Sequence, residues 1–98
     1  MKIIHKTDGR YRYHDQYTCL VKFQDHGLWN NDHTRFWDIK DWLTETYGPE
    51  IDTQFAGYHR NEHYRIAWGR GRERRIYLKD SSYLLFIHLA LPDIFTGE

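Results

Sequence analysis

Cysteine is nearly missing from this sequence. The single Cys19 excludes an internal disulfide framework and fits a reducing compartment. It stands in Tyr17-Thr18-Cys19-Leu20-Val21-Lys22-Phe23, where a small buried apolar residue is the natural role. Long apolar runs are missing too. No basic segment followed by an apolar stretch opens the chain, and nothing approaches the roughly 18 residues of a membrane span. The longest apolar run, residues 83–91, is interrupted by His88 and stopped by Pro92. The expectation is a soluble cytoplasmic protein with no membrane partner. Net charge is also missing, at zero from 14 bases and 14 acids, which argues against a dedicated nucleic-acid binder.

Large rings are plentiful. Five Phe, eight Tyr and four Trp in 98 residues can build a core without many aliphatics, and they argue against disorder. A chain of this length makes one domain, burying about 65% of its unfolded surface and stable by about 5–10 kcal/mol. The charge is blocked: residues 1–24 carry +3, 25–59 carry −5, 60–79 carry +5 and 80–98 carry −3. Such blocks present faces of opposite sign unless they interleave in space.

The helix signal is the firmest. Asp32 or Thr34 caps a first turn, and Tyr47-Gly48-Pro49 supplies a C′ glycine and a terminating proline. Phe36, Ile39, Leu43 and Tyr47 form one apolar stripe with Trp42 at its edge, while Asp38, Asp41 and Glu45 lie opposite. Trp37 falls near the acids, either covered by the polar connection 24–31 (with Leu28 and Trp29) or exposed as an anchor. Before the helix, residues 2–7 and 10–13 read as a hairpin about Asp8-Gly9, a type I′ signal, with a strand over 17–23. After it, 50–60 is irregular and contains Phe55-Ala56-Gly57-Tyr58, and strands follow over 63–68 and 74–79. Residues 83–91 make either a central strand or a short helical turn, capped by Ser81, that leads into a strand. The predicted fold is α+β: an antiparallel sheet with one main helix packed on one face, and an N-terminal hairpin. The order contains a ferredoxin-like βαββαβ core with a reduced second helix.

Between the last two hairpin strands lies Gly69-Arg70-Gly71-Arg72-Glu73-Arg74-Arg75. Glycine permits the turn, and arginine forks suit carboxylate or phosphate. This loop is the candidate contact surface, with Arg70, Arg72, Arg74 and Arg75 as forks and Trp37, Trp68 and Tyr77 as rings. The leading reading is a non-enzymatic module that docks on a protein partner with an acidic surface. The alternative is single-stranded nucleic acid, with Tyr11, Tyr13 and Tyr77 as stacking rings. Ile76-Tyr77-Leu78-Lys79-Asp80 is similar to a strand motif of RNA-recognition domains, but it stands at the wrong place in the order and has no companion motif. Opposite-signed blocks also allow a homodimer in which the acidic helix of one copy meets the basic loop of another.

Enzymatic signals are weaker. His59-Arg60-Asn61-Glu62-His63 matches H-x-x-E-H, which gathers two imidazoles on one zinc only when it is helical. Gly57 precedes it and a strand follows, and on a strand residues four apart are about 13 Å apart. A zinc hydrolase on His59, Glu62 and His63, or a zinc loop that adds His26 or His33, is the distant reading; no metal, cofactor or catalytic residue is assigned. Ser81 and Ser82 read as a turn, Gly69-x-Gly71 joins two strands rather than opening a helix, and Asp38 with Asp41 reads as a solvated helix face.

Trp42-Leu43-Thr44-Glu45-Thr46-Tyr47-Gly48, Tyr64-Arg65-Ile66-Ala67-Trp68, Arg75-Ile76-Tyr77-Leu78-Lys79-Asp80 and Leu85-Phe86-Ile87-His88-Leu89 together resemble small uncharacterised proteins of tailed bacteriophages. These share a W-x-x-E-x-[YF]-G helix end, a strand pair and a Leu-Phe-rich final strand. The resemblance covers roughly residues 36–90 and rests mostly on structural positions. It implies the cytoplasm of an infected bacterium and roles such as host takeover, anti-defence (an inhibitor) or virion assembly. The turn Asp80-Ser81-Ser82 is shorter than that group's helical turn.

Overall fold

A computed structural model describes residues 1–24, 31–52, 59–69 and 71–95. The elements run β1 (Lys2–Ile4), β2 (Cys19–Gln24), α1 (Asn31–Tyr47), β3 (Ile51–Asp52), β4 (His59–Arg60), β5 (Tyr64–Trp68), β6 (Glu73–Leu78) and α2 (Ser82–Ala90). Four strands form one antiparallel sheet in the order β1-β2-β6-β5, and β3 pairs with β4 in a separate two-stranded ladder. The fold is α+β, as the sequence predicts.

Strand alternation sorts the side chains into two layers. Cys19, Val21 and Phe23 of β2 stand beside Leu78, Ile76 and Arg74 of β6, and these beside Tyr64, Ile66 and Trp68 of β5. This face is covered by the helices, with Phe36, Ile39 and Leu43 of α1 and Tyr83 and Ile87 of α2 in the same core. Burial pushes the Cys19 thiol up to about 11, helped by Asp80, so it packs as a small apolar group. On the other face Leu20 and Tyr77 pack against Tyr13 and Tyr17, which come from the turn-rich segment between β1 and β2.

That segment departs from the expected hairpin. An N-terminal antiparallel pair is present, but β1 pairs with β2, through Ile3 opposite Val21, rather than with residues 10–13. Among the described residues only Gly48 and Gly71 have positive φ, so Asp8-Gly9 is not a type I′ turn. Instead the Asp8 carboxylate accepts the backbone N–H and the Nε–H of Arg10, and Tyr11 N–H donates to the Asp8 carbonyl. This local closure bends the chain across the sheet, where Tyr13 meets Tyr77 edge-on at 5.0 Å.

The helix ends as predicted. Gly48 takes φ 86°, and its N–H donates to the Thr44 carbonyl at 2.9 Å. The start differs, because α1 opens at Asn31 and so puts Asp32 and Thr34 inside it. The buried Asp32 carboxylate accepts Gln24 N–H and the Met1 ammonium at 3.0 Å each, which ties the helix start to β1 and β2. Burial opposes that charge, but these two donors and Arg35 hold the carboxyl below the usual range.

Residues 83–91 form no final strand; α2 is a helix over Ser82–Ala90. Its first turn is held by the Asp80 carboxylate, which accepts Ser82 N–H at 2.9 Å, while the Ser81 side chain makes no cap bond. The edge position beside β2 is taken by β1. The connection 25–30, with Leu28 and Trp29, and residues 53–58, with Phe55-Ala56-Gly57-Tyr58, lie outside the described residues. The backbone of the predicted irregular stretch 50–60 does make the short β3–β4 ladder.

Candidate functional site

The Arg-rich turn joins β5 to β6. Trp68 stands opposite Arg74, Gly69 N–H donates to the Glu73 carbonyl at 3.0 Å, and Gly71 turns the chain at φ 66°. A side chain at Gly69 would meet the Glu73 carboxylate, so the glycine leaves room for it.

β6 begins at Glu73, so alternation sends Arg74 and Arg75 to opposite faces. The four arginines therefore do not form one cluster at the tip. Arg72 is exposed in the turn, and Arg70 lies outside the described residues. Arg75 donates to Glu73 Oε2 at 3.2 Å and to the Tyr77 hydroxyl at 3.3 Å. Burial works against its charge, but these two acceptors outweigh it and hold the guanidinium above its ordinary value. Lys22, opposite Arg75 on β2, adds a 3.5 Å contact to Glu73.

Arg74 takes the helix-facing side, in the cross-strand row Phe23–Arg74–Trp68 at the end of the core. Its guanidinium carbon lies 4.2 Å from the Trp68 ring centre, 5.3 Å from Phe36 and 5.7 Å from Trp37. All three are within cation–π range, so ring faces stabilise a cation that enters an aromatic layer. Lys40, one turn beyond Trp37, covers the same indole at 5.4 Å. Three of the predicted contact residues, Trp37, Trp68 and Arg74, are thus brought together on one patch. Trp68 is 63% exposed there and Trp37 36%.

Tyr77 is the clear correction. It is 1% exposed, buried beneath Tyr13 on the opposite face, and presents no ring to a ligand. Tyr13 is buried as well, and Tyr11 and Tyr13 lie in turns rather than on a shared strand face. Tyr11 instead receives Lys22 at 5.3 Å, and Tyr13 is flanked by Arg12 and Arg65 at 5.3 and 5.4 Å.

Phe36 and Lys40 are the patch residues that sequence reasoning did not assign. Phe36 reads as core and does pack on Phe23 at 5.5 Å; only the cross-strand row shows that its ring also meets Arg74. Lys40 was legible at a spacing of three from Trp37 on the helix.

The H-x-x-E-H segment is not helical: it runs from β4 through a bend toward β5. Asn61 donates its side-chain amide to the Tyr47 and Pro49 carbonyls at 2.8 and 3.2 Å, clamping the end of α1. His63 stacks on Tyr47 at 4.3 Å, and its Nδ1 lies 2.6 Å from the Tyr83 hydroxyl. The side chain of His59 and all of His26 lie outside the described residues. Among the described residues no group of three or more His, Cys, Asp or Glu is placed to hold a metal, and no helix is long and apolar enough to cross a membrane.

The charge blocks separate only in part, since Glu50 lies 4.0 Å from Arg65, Asp32 takes the Met1 ammonium and Arg74 lies on the helix side of the sheet. Lys22, Arg65 and Arg75 lie on the face covered by the N-terminal segment, together with Arg12, whereas Asp38, Asp41 and Glu45 point outward from α1 on the other side. Comparison with known proteins adds no relative: no family model, curated protein or solved structure matches this chain.

Proposed function

We propose that this protein is a small non-enzymatic binding module that docks on an acidic surface of a protein partner through the β5–β6 turn and the adjoining end of α1. The observation that carries this reading is an exposed indole, Trp68, fixed in place by the guanidinium of Arg74 at 4.2 Å. Trp and Arg dominate the energetics of protein interfaces, and a ring already stacked loses little further freedom on binding. Arg72, exposed in the turn that follows β5, supplies a fork for a carboxylate. Trp37 and Lys40 extend the patch along α1.

Two of the groups that catalysis could use have structural work. His63 is committed to Tyr47 and Tyr83, and the Cys19 thiol is buried and held protonated. The resemblance to tailed-phage proteins suggests the setting: an accessory protein in the bacterial cytoplasm that inhibits, redirects or assembles with its target. Single-stranded nucleic acid is less favoured, because Tyr13 and Tyr77 are buried and Lys22 already lies over the Tyr11 ring.

Affinity capture from bacterial lysate with the wild-type chain and with a Trp68→Ala/Arg72→Ala variant tests the proposal. A protein captured by the first and lost by the second is the expected result. Binding of oligothymidylate, with a log–log salt slope of about −0.7 per phosphate contact, would transfer the patch to nucleic acid.

A further inference from the structure

We propose that the hollows between the N-terminal segment and the ends of β4 and β6 bind a diphosphate group, at a site apart from the Arg-rich turn. Arg12, Tyr13, Asp15, Gln16 and Arg60 line an open hollow of about 220 Å³. Gln16, Tyr17, Arg60, Glu62 and Lys79 line a second, of about 330 Å³. Gln16 and Arg60 belong to both, so the hollows adjoin and Arg60 stands at their junction. Lys79 follows the end of β6 that is farther from the Arg-rich turn.

The cations here are unspent. Arg12, Arg60 and Lys79 are exposed, and no side-chain hydrogen bond or ion pair engages any of them among the described residues. The two acids of the hollows have other company: Asp15 lies 2.9 Å from His14 Nε2, and Glu62 lies 3.5 Å from His63 Nε2. Arg65 adds to the same place, with its guanidinium carbon 5.4 Å from the Tyr13 ring centre. Its Nε and Nη1 are shut from water without a hydrogen-bond acceptor, and the Glu50 carboxylate stays 4.0 Å away. Burial raises the Tyr17 phenol, and Arg65 and Arg60 together oppose that rise.

Arg12, Arg60, Arg65 and Lys79 against Asp15, Glu50 and Glu62 leave a net charge of only +1, so the placement of donors, more than the overall field, selects the ligand. A lone carboxylate fills one guanidinium fork and leaves the other cations idle. A diphosphate carries oxygens on two joined centres, one for each hollow, with Arg60 between them, Arg12 at one end and Lys79 at the other. The frame is fixed beforehand. Tyr17 donates its backbone N–H to the Tyr13 carbonyl at 2.8 Å and its hydroxyl to the carbonyl of Asn61, the residue after Arg60. Lys79 N–H donates to the His63 carbonyl at 3.0 Å, and the Lys79 carbonyl accepts Thr18 N–H at 3.1 Å. Donors carried on such a frame lose little backbone freedom on binding.

Isothermal titration calorimetry of the whole chain with inorganic pyrophosphate, inorganic phosphate and ADP, in about 0.05 M salt, tests the proposal. One pyrophosphate per chain, bound at least about tenfold tighter than phosphate, is the expected result. ADP distinguishes the source: binding as tight as pyrophosphate or tighter assigns the site to a nucleotide, and weaker binding assigns it to free diphosphate. Arg60→Ala should weaken pyrophosphate binding at least about tenfold, and Arg12→Ala and Lys79→Ala each about threefold, with unchanged circular dichroism. Glu62→Gln should tighten it about twofold, a gain that damage to the fold would not produce. No pyrophosphate binding at about 5 mM overturns the proposal, as does phosphate bound equally well or binding that Arg60→Ala leaves intact. The Trp68→Ala/Arg72→Ala variant should bind pyrophosphate normally, so failure here leaves the reading of the turn standing.

Discussion

The two faces of the sheet are both covered, but by different chemistry. The helix face is mostly hydrocarbon: Val21, Phe23, Phe36, Ile39, Leu43, Ile76 and Ile87 are buried with no polar side-chain atoms to satisfy, and its two buried phenols, Tyr64 and Tyr83, turn their hydroxyls to the Gly48 carbonyl at 2.7 Å and to His63 at 2.6 Å. The opposite face is closed by a turn-rich segment whose contribution is phenolic. Tyr17 donates its hydroxyl to the Asn61 carbonyl at 2.5 Å, and Thr7 donates to the Tyr17 carbonyl at 3.1 Å. Burial raises the Tyr17 phenol above its ordinary value, although Arg65 and Arg60 pull the other way. A helix can cover a sheet by shape alone. An irregular segment brings backbone polar groups with it and needs partners for them.

Substitution on the two faces sharpens that contrast, and the largest effects should come from the rings. Phe36→Ala is expected to cost about 3–5 kcal/mol in denaturant unfolding, as a large-to-small change in a packed core. Tyr77→Ala should cost about 3 kcal/mol or more if the phenolic face is an equal core. A loss below about 1 kcal/mol would demote that face to a loosely held cover.

Next comes the tie between the layers at Asp32. Its carboxyl is lowered in the folded chain, so its contribution is present above the unfolded value of about 3.9 and is lost as pH falls through the folded value. Asp32→Asn should cost about 1–2 kcal/mol at neutral pH and flatten the acid limb of the stability curve below about pH 4. An unchanged acid limb would show that the carboxylate is not what joins α1 to β1 and β2. Smaller still, Tyr17→Phe removes one hydrogen bond and should cost about 1 kcal/mol, read from the shift in unfolding midpoint. An unshifted midpoint would mean that the phenol contributes packing alone.

Sequence legibility follows the same division. Helix α1, its glycine end and the alternation of β5 and β6 carry periodic signals, and they appear within a residue or two of where the pattern puts them. Arg74 facing the core with Ile76 and Leu78 is implicit in that alternation; the three rings that receive it are not, because they meet only through the β5–β6 register and the seating of α1. The N-terminal segment misleads because Asp8-Gly9 is a strong hairpin signal in isolation. Here the Asp8 side chain closes a local turn with Arg10, and the better strand partner for β1 lies in residues 19–24. α2 misleads because a nine-residue apolar run lacks a period that separates strand from helix. That lack of a polar face is also what leaves Leu85 and Leu89 uncovered.

The patch around Arg74 is the place where the account is most exposed to contradiction. Trp68→Ala should move the unfolding free energy by less than about 1 kcal/mol, since the ring is mostly in water, while abolishing capture of the target. The decisive measurement is therefore target capture by Trp68→Ala alongside its unfolding midpoint. Lost capture with a near-native midpoint is what a prepositioned docking anchor predicts. Retained capture, or a stability loss of several kcal/mol, would make Trp68 a lid over the end of the core and not a contact.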